Sequence, residues 1–182
     1  MKLNQAQKEE LLRIARKTVE SYIRDGRVPE FKITDKRLQE KQGAFVTLHL
    51  VGRLRGCIGR IEPSSEPLWQ VVRDMAIEAS VSDPRFRPVN ENELEDLEYE
   101  ISVLSVPEKI NDWRQIELGR HGVIVRSGFN SGVFLPQVAT ETGWTREEFL
   151  AHLCADKAGL AANAYKDDPE VELFVFEAEV FS

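Results

Sequence analysis

Residues 53–60 read Arg53-Leu54-Arg55-Gly56-Cys57-Ile58-Gly59-Arg60, a thiol set between two glycines and among three arginines. A cysteine reacts as its thiolate, and neighbouring cations favour that form. As a nucleophile Cys57 needs a general base, and His121, beside Gly122 at the head of a later strand, is the candidate. Arg55 has the planar fork that grips a carboxylate or phosphate at two points. Gly56 and Gly59 either let a ligand approach the backbone or mark a bulge or kink, since glycine weakens a strand interior. Arg85, in Asp83-Pro84-Arg85-Phe86, and Gln137, after Leu135-Pro136, are further candidate ligand contacts.

Each candidate has a structural alternative. Free cysteine is often a small buried hydrophobe. The chain has 31 acidic residues with which Arg55 can pair, and Asp83 lies two residues from Arg85. Pro136 and Gln137 can simply end a strand. Three histidines, at 49, 121 and 152, and two distant cysteines, Cys57 and Cys154, make no metal-type spacing. No glycine-rich phosphate loop is present. No metal is expected, and no cofactor is assigned.

The elements that must position these residues follow from periodicity and turn chemistry. Asn4 to about Arg24 is predicted as a helix, with Asn4 and Gln7 as a capping box and Gly26 as its end. Residues 27–42 read as a charged surface connection. Gly43 to Gly59 reads as a hairpin turning at Val51-Gly52. An unbroken register pairs Leu48 with Arg55 and Val46 with Cys57, which puts Cys57 and Arg55 on one face and His49 on the other. Ser64 or Ser65 is expected to cap a helix running to about Val81. Then come a loop at 83–88, a short helix capped by Asn90 and Glu93, and a strand over Glu98–Val106. A short helix near Trp113, strands at 122–126 and 133–135, a helix from Thr145 to Gly159 and one long strand over 170–181 complete the chain.

Displacing the chain by 79 residues lays Gly43 on Gly122 and Leu54 on Val133, so residues 43–106 and 122–181 form two hairpin–helix–strand units. The expected fold is α+β, a mainly antiparallel sheet from those two units with helices packed around it, in a single domain spanning 1–182.

With 42% hydrophobic and 30% charged residues, the composition is that of a soluble globular protein. No run approaches the roughly 20 apolar residues of a membrane span, and no signal peptide is seen. Two isolated cysteines suit a reducing compartment, so a cytoplasmic protein is expected. A net charge of −7 disfavours non-specific nucleic-acid binding.

Five motifs in order carry a resemblance. Leu54-Arg55-Gly56-Cys57-Ile58-Gly59, Asp83-Pro84-Arg85-Phe86, Ile101-Ser102-Val103-Leu104-Ser105, Leu135-Pro136-Gln137-Val138 and Lys157-Ala158-Gly159-Leu160 resemble the AMMECR family over residues 5–181. The chain is similar in particular to the prokaryotic AmmeMemoRadiSam protein A-like members, which accompany a Memo-type protein and a radical-SAM protein. The resemblance implies a larger part holding both termini, a smaller part, and a cleft near the hallmark segment. It implies no particular reaction. Two functions stay open: a ligand or catalytic cleft built on Cys57, and a non-catalytic protein–protein adaptor in which the hallmark is structural.

Overall fold

The computed structural model describes residues 2–182. Asn4 opens helix α1 (Gln5–Asp25) with the expected capping box: its side chain accepts from the Gln7 N–H at 2.9 Å, and its own N–H donates to the Gln7 side chain at 3.0 Å. Gly26 ends the helix at φ 66°. The buried stripe of α1, Leu11, Ile14, Ala15, Thr18 and Val19, packs on helix α2 (Leu68–Val81) and strand β3 (Leu97–Leu104).

Helix α2 starts differently from expectation. Pro67 stands at its cap and no side chain caps it. The orphan N–H groups of Leu68 and Trp69 instead donate to the carbonyls of Glu40 and Leu38. The connection over residues 27–42 is therefore a built part of the fold, with Leu38 fully buried in the core.

Strands β1 (Ala44–Leu50) and β2 (Arg53–Arg60) form the expected hairpin. Val51 and Gly52 turn it with φ 51° and 69°, both left-handed, which suits the twist of the strands. Near the turn the register is as expected, with Leu50 opposite Arg53 and His49 opposite Leu54. A β-bulge then intervenes. Leu48 lies opposite Gly56, Thr47 opposite Cys57 and Val46 opposite Ile58, leaving Arg55 as the extra residue. The expected pairing of Val46 with Cys57 is thus displaced by one residue, and every side chain beyond the bulge changes face.

Gly56 shows why the bulge is tolerated. A Cβ there would lie 2.1 Å from the Ala79 carbonyl oxygen, so only glycine lets α2 pack this closely on β2.

Two four-stranded antiparallel sheets result, in an α+β fold as the sequence predicts. The first has the order β2-β1-β3-β8, with β8 spanning Ala178–Phe181. The second has the order β4-β7-β5-β6, from β4 (Glu108–Ile110), β5 (Gly122–Ser127), β6 (Asn130–Phe134) and β7 (Glu172–Phe176). The residues fall into two compact units, 1–104 with 179–182 and 105–178. In each sheet the first hairpin strand lies between its partner and the strand that follows the helices.

The long terminal strand expected over 170–181 is two strands, one in each sheet. They part at Glu177, whose N–H donates to Ser105 Oγ and whose carbonyl accepts the Ser105 N–H. Pro136 does more than end a strand. It opens helix α3 (Pro136–Thr142), where a missing N–H costs nothing. Thr145 caps α4 (Arg146–His152) in a capping box with Glu148, and a π-helical turn at Leu153–Lys157 continues it before a short α5 (Ala164–Asp167). Phe134, Phe149, Leu150, Leu153 and Cys154 centre the second core.

Gly56→Ala is expected to destabilise the protein by about 2 kcal/mol, the usual scale for overpacking a tight contact. Urea unfolding reads this as a lowered midpoint with unchanged slope; an unshifted midpoint would contradict the close approach of α2.

Candidate functional site

Cys57 sits where β2 is the edge of its sheet. Its backbone groups point away from β1. The N–H donates to Asp83 Oδ2 at 2.9 Å, and the carbonyl accepts from Arg85 Nη2 at 3.4 Å. This is the geometry of a non-hydrogen-bonded antiparallel pair, in which opposed side chains come closest. Accordingly the Thr47 hydroxyl donates to Cys57 Sγ at 3.2 Å. The Asp83–Arg85 pair does for this edge what a neighbouring strand would do, satisfying one donor and one acceptor.

Asp83 is the buried member of that pair, with 4% of its surface exposed. It accepts from Arg85 Nε at 3.0 Å, Arg85 Nη2 at 2.7 Å and the Arg85 backbone N–H at 3.0 Å. The Arg85 guanidinium, joined by the N–H groups of Cys57 and Arg85, holds the Asp83 carboxyl far below the usual carboxylate range. Arg85 is raised in turn, chiefly by Asp83, with the negative charge of a Cys57 thiolate adding to the effect. More than half of the Arg85 side chain remains exposed.

Arg55 is placed otherwise. Its guanidinium clasps Glu93 at 2.8 and 3.0 Å and donates to the carbonyls of Arg87 and Pro88. Only 14% of the side chain is exposed. Glu93 also completes the capping box of the 3₁₀ helix at Glu91–Asp96, and the Arg55 contact above all holds its carboxyl below the ordinary value. The space beside Gly56 is taken by Ala79, and a side chain at Gly59 would strike the Phe45 ring. These three hallmark residues therefore meet the protein's own atoms.

His121 and Gln137 lie in the unit of residues 105–178. His121 Nδ1 accepts the Glu117 N–H at 3.1 Å. In the neutral ring this puts the proton on Nε2, which leaves no lone pair for a general base. Gln137 lies in the first turn of α3, with a buried side-chain oxygen that has no hydrogen-bond partner. A cleft of about 870 Å³ in this unit is lined by Lys109, Trp113, Arg114, Tyr165 and Lys166 among others, and by none of the sequence-predicted site residues.

His49, Thr47 and Asp83 are the neighbours that sequence reasoning missed. Because the bulge moves Cys57 opposite Thr47, Cys57 shares a face with His49, two residues further along β1. The signal was Gly56 itself, a strand-interior glycine of the kind that accompanies bulges. On β3 the same face carries Glu98 opposite His49 and Glu100 opposite Thr47. Among the described residues no group of three or more His, Cys, Asp or Glu is arranged to hold a metal ion. Nor is any helix among them long and apolar enough to cross a membrane.

The family model described as AMMECR1 matches residues 12–181. The chain is 44% identical over 189 residues to Protein MK0488 of Methanopyrus kandleri, covering 99% of this chain and 90% of that one. It is 40% identical over 181 residues to Protein NEQ441 of Nanoarchaeum equitans, covering 94% and 97%. Its structure is similar to the crystal structure of PH0010 from Pyrococcus horikoshii, with a TM-score of 0.83, 42% identity, and coverage of 94% and 89%. None of these three names carries an activity or a ligand.

Asp83 has a folded-state pKa below its unfolded value of about 4, so its stabilisation is complete above that value and is lost as pH falls toward the folded one. Asp83→Asn is expected to cost about 2 kcal/mol at pH 7, as for hydrogen bonds to a charged group. The variant's stability should also fall less steeply below pH ~4 than the wild type's. Urea unfolding across that range tests this, and parallel acid limbs in the two proteins would refute it.

Proposed function

Because the chain belongs to the AMMECR1 family, with residues 12–181 matched, we propose that its function centres on a thiol site at Cys57. One observation carries the reading: Cys57 is the hallmark's chemically active side chain that packing does not consume. Arg55 is committed to Glu93, Gly56 to α2 and Gly59 to Phe45. Cys57 is half-buried, its sulfur receives the Thr47 hydroxyl, and it stands beside a half-exposed guanidinium. In this reading Cys57 is the nucleophile or the covalent point of ligand attachment. Arg85 supports its thiolate and meets an anionic group of the ligand, the part Arg55 is too enclosed to play. The protein acts beside a Memo-type protein and a radical-SAM protein; this last element rests on the family resemblance alone.

A second reading is favoured by a different observation. The two hairpin tips carry exposed apolar residues, Val51 in one unit and Phe129 in the other. Exposed apolar tips of this kind suit contact with another protein, as in a non-catalytic adaptor.

Iodoacetamide labelling of the folded protein at pH 7, mapped by mass spectrometry, separates the two. Cys57 is expected to react at least about tenfold faster than a free thiol of pKa ~8.5, and Arg85→Gln to slow it. Labelling of Cys57 at the free-thiol rate would favour the adaptor.

A further inference from the structure

We infer that His49 is the general base for Cys57 and that Glu98 is its positioning partner, the bulge at Arg55 having brought all three onto one sheet face. The inference rests on the thiol reading above and adds the group that accepts the proton.

The register supplies the argument. Beyond the bulge, one cross-strand row runs Cys57, Thr47, Glu100 from β2 through β1 to β3. The next row toward the turn runs Leu54, His49, Glu98. His49 is therefore the diagonal neighbour of Cys57, at a Cα separation of roughly 7–8 Å that aromatic side chains span. Without the bulge Cys57 would point to the helix-covered face, where Leu48 and Val46 are fully buried. Glu98 is the directly opposed neighbour of His49, with Cβ atoms on the order of 5 Å apart. A nucleophile, a base and a third group orienting the base are the parts of an activated cysteine.

The titratable groups that the neighbouring strands place on the face of His49 are Glu98 and Glu100 on β3 and the thiol of Cys57 on β2, while Arg85, paired with Asp83, donates to the Cys57 carbonyl. The step is a proton transfer and nothing more: the Cys57 S–H bond breaks, the proton goes to the ring of His49, and a thiolate–imidazolium pair forms. Among the described residues His49 has no hydrogen-bond partner, so its ring is not committed elsewhere. Catalytic hydrogen bonds of this kind are commonly long before a ligand binds and tighten afterwards.

The test is the pH profile of Cys57 alkylation by iodoacetamide, read together with the ultraviolet absorbance of the thiolate, in wild type, His49→Gln and Glu98→Gln. Cys154 is fully buried, and Cys57→Ala supplies the background. Circular dichroism and the urea midpoint verify that the variants fold. His49→Gln is expected to slow labelling about tenfold or more at pH 7 and to leave the rate at pH 10 unchanged. Glu98→Gln is expected to give a smaller loss at pH 7. A wild type that labels fast at pH 7 with an unaltered His49→Gln profile overturns this inference and leaves the thiol reading standing. A wild type that labels only as a free thiol does defeats the thiol reading, and this one with it.

Discussion

The carboxylate of Asp83 is the constraint on which the hallmark segment depends. It is almost fully buried, yet it serves three groups at once: the Cys57 N–H, the Arg85 N–H and the Arg85 guanidinium. A buried carboxylate is costly unless it is paired and hydrogen-bonded, and this one is both. Through it, a loop following α2 is tied to the edge of β2. That tie seals an edge otherwise open to pairing with another chain, and it holds the Cys57 backbone without using its side chain.

Around that tie the six hallmark residues divide their work. Arg55 braces the 3₁₀ helix through Glu93, Gly56 admits the Ala79 carbonyl, and Gly59 makes room for Phe45. Each is a packing role in which a larger or shorter side chain would fail. The bulge at Arg55 lets the strand change its facing partway along. Cys57 is delivered by the same irregularity to the face that carries Thr47, His49, Glu98 and Glu100. Gly56 meets its packing demand on the helix-covered side of the strand, while Cys57 and Gly59 face the other side.

Local signals in the chain were legible wherever the partners are near neighbours. Three capping boxes, Asn4–Gln7, Asn90–Glu93 and Thr145–Glu148, each join residues three apart, so residue types alone define them. The hairpin turn at Val51-Gly52 and the α+β class follow from equally short-range patterns. Helix α2 was harder. Its first N–H groups are satisfied by the distant carbonyls of Glu40 and Leu38, and no nearby side chain announces that. The terminal strand was harder still, since its break at Glu177 depends on Ser105.

The sequence by itself therefore determined that Cys57 lies on the second strand of a hairpin, among arginines, in a family-specific motif. It offered a bulge as one of two readings of the flanking glycines. It did not determine which way Cys57 faces. Alternation along a strand is strict only until a bulge, and a bulge's position depends on contacts that meet it from afar: the Ala79 carbonyl against Gly56 and the Asp83 carboxylate on the Cys57 N–H. Only the tertiary structure supplies those two contacts, and they turn Cys57 from the side away from His49 to the side that His49 shares.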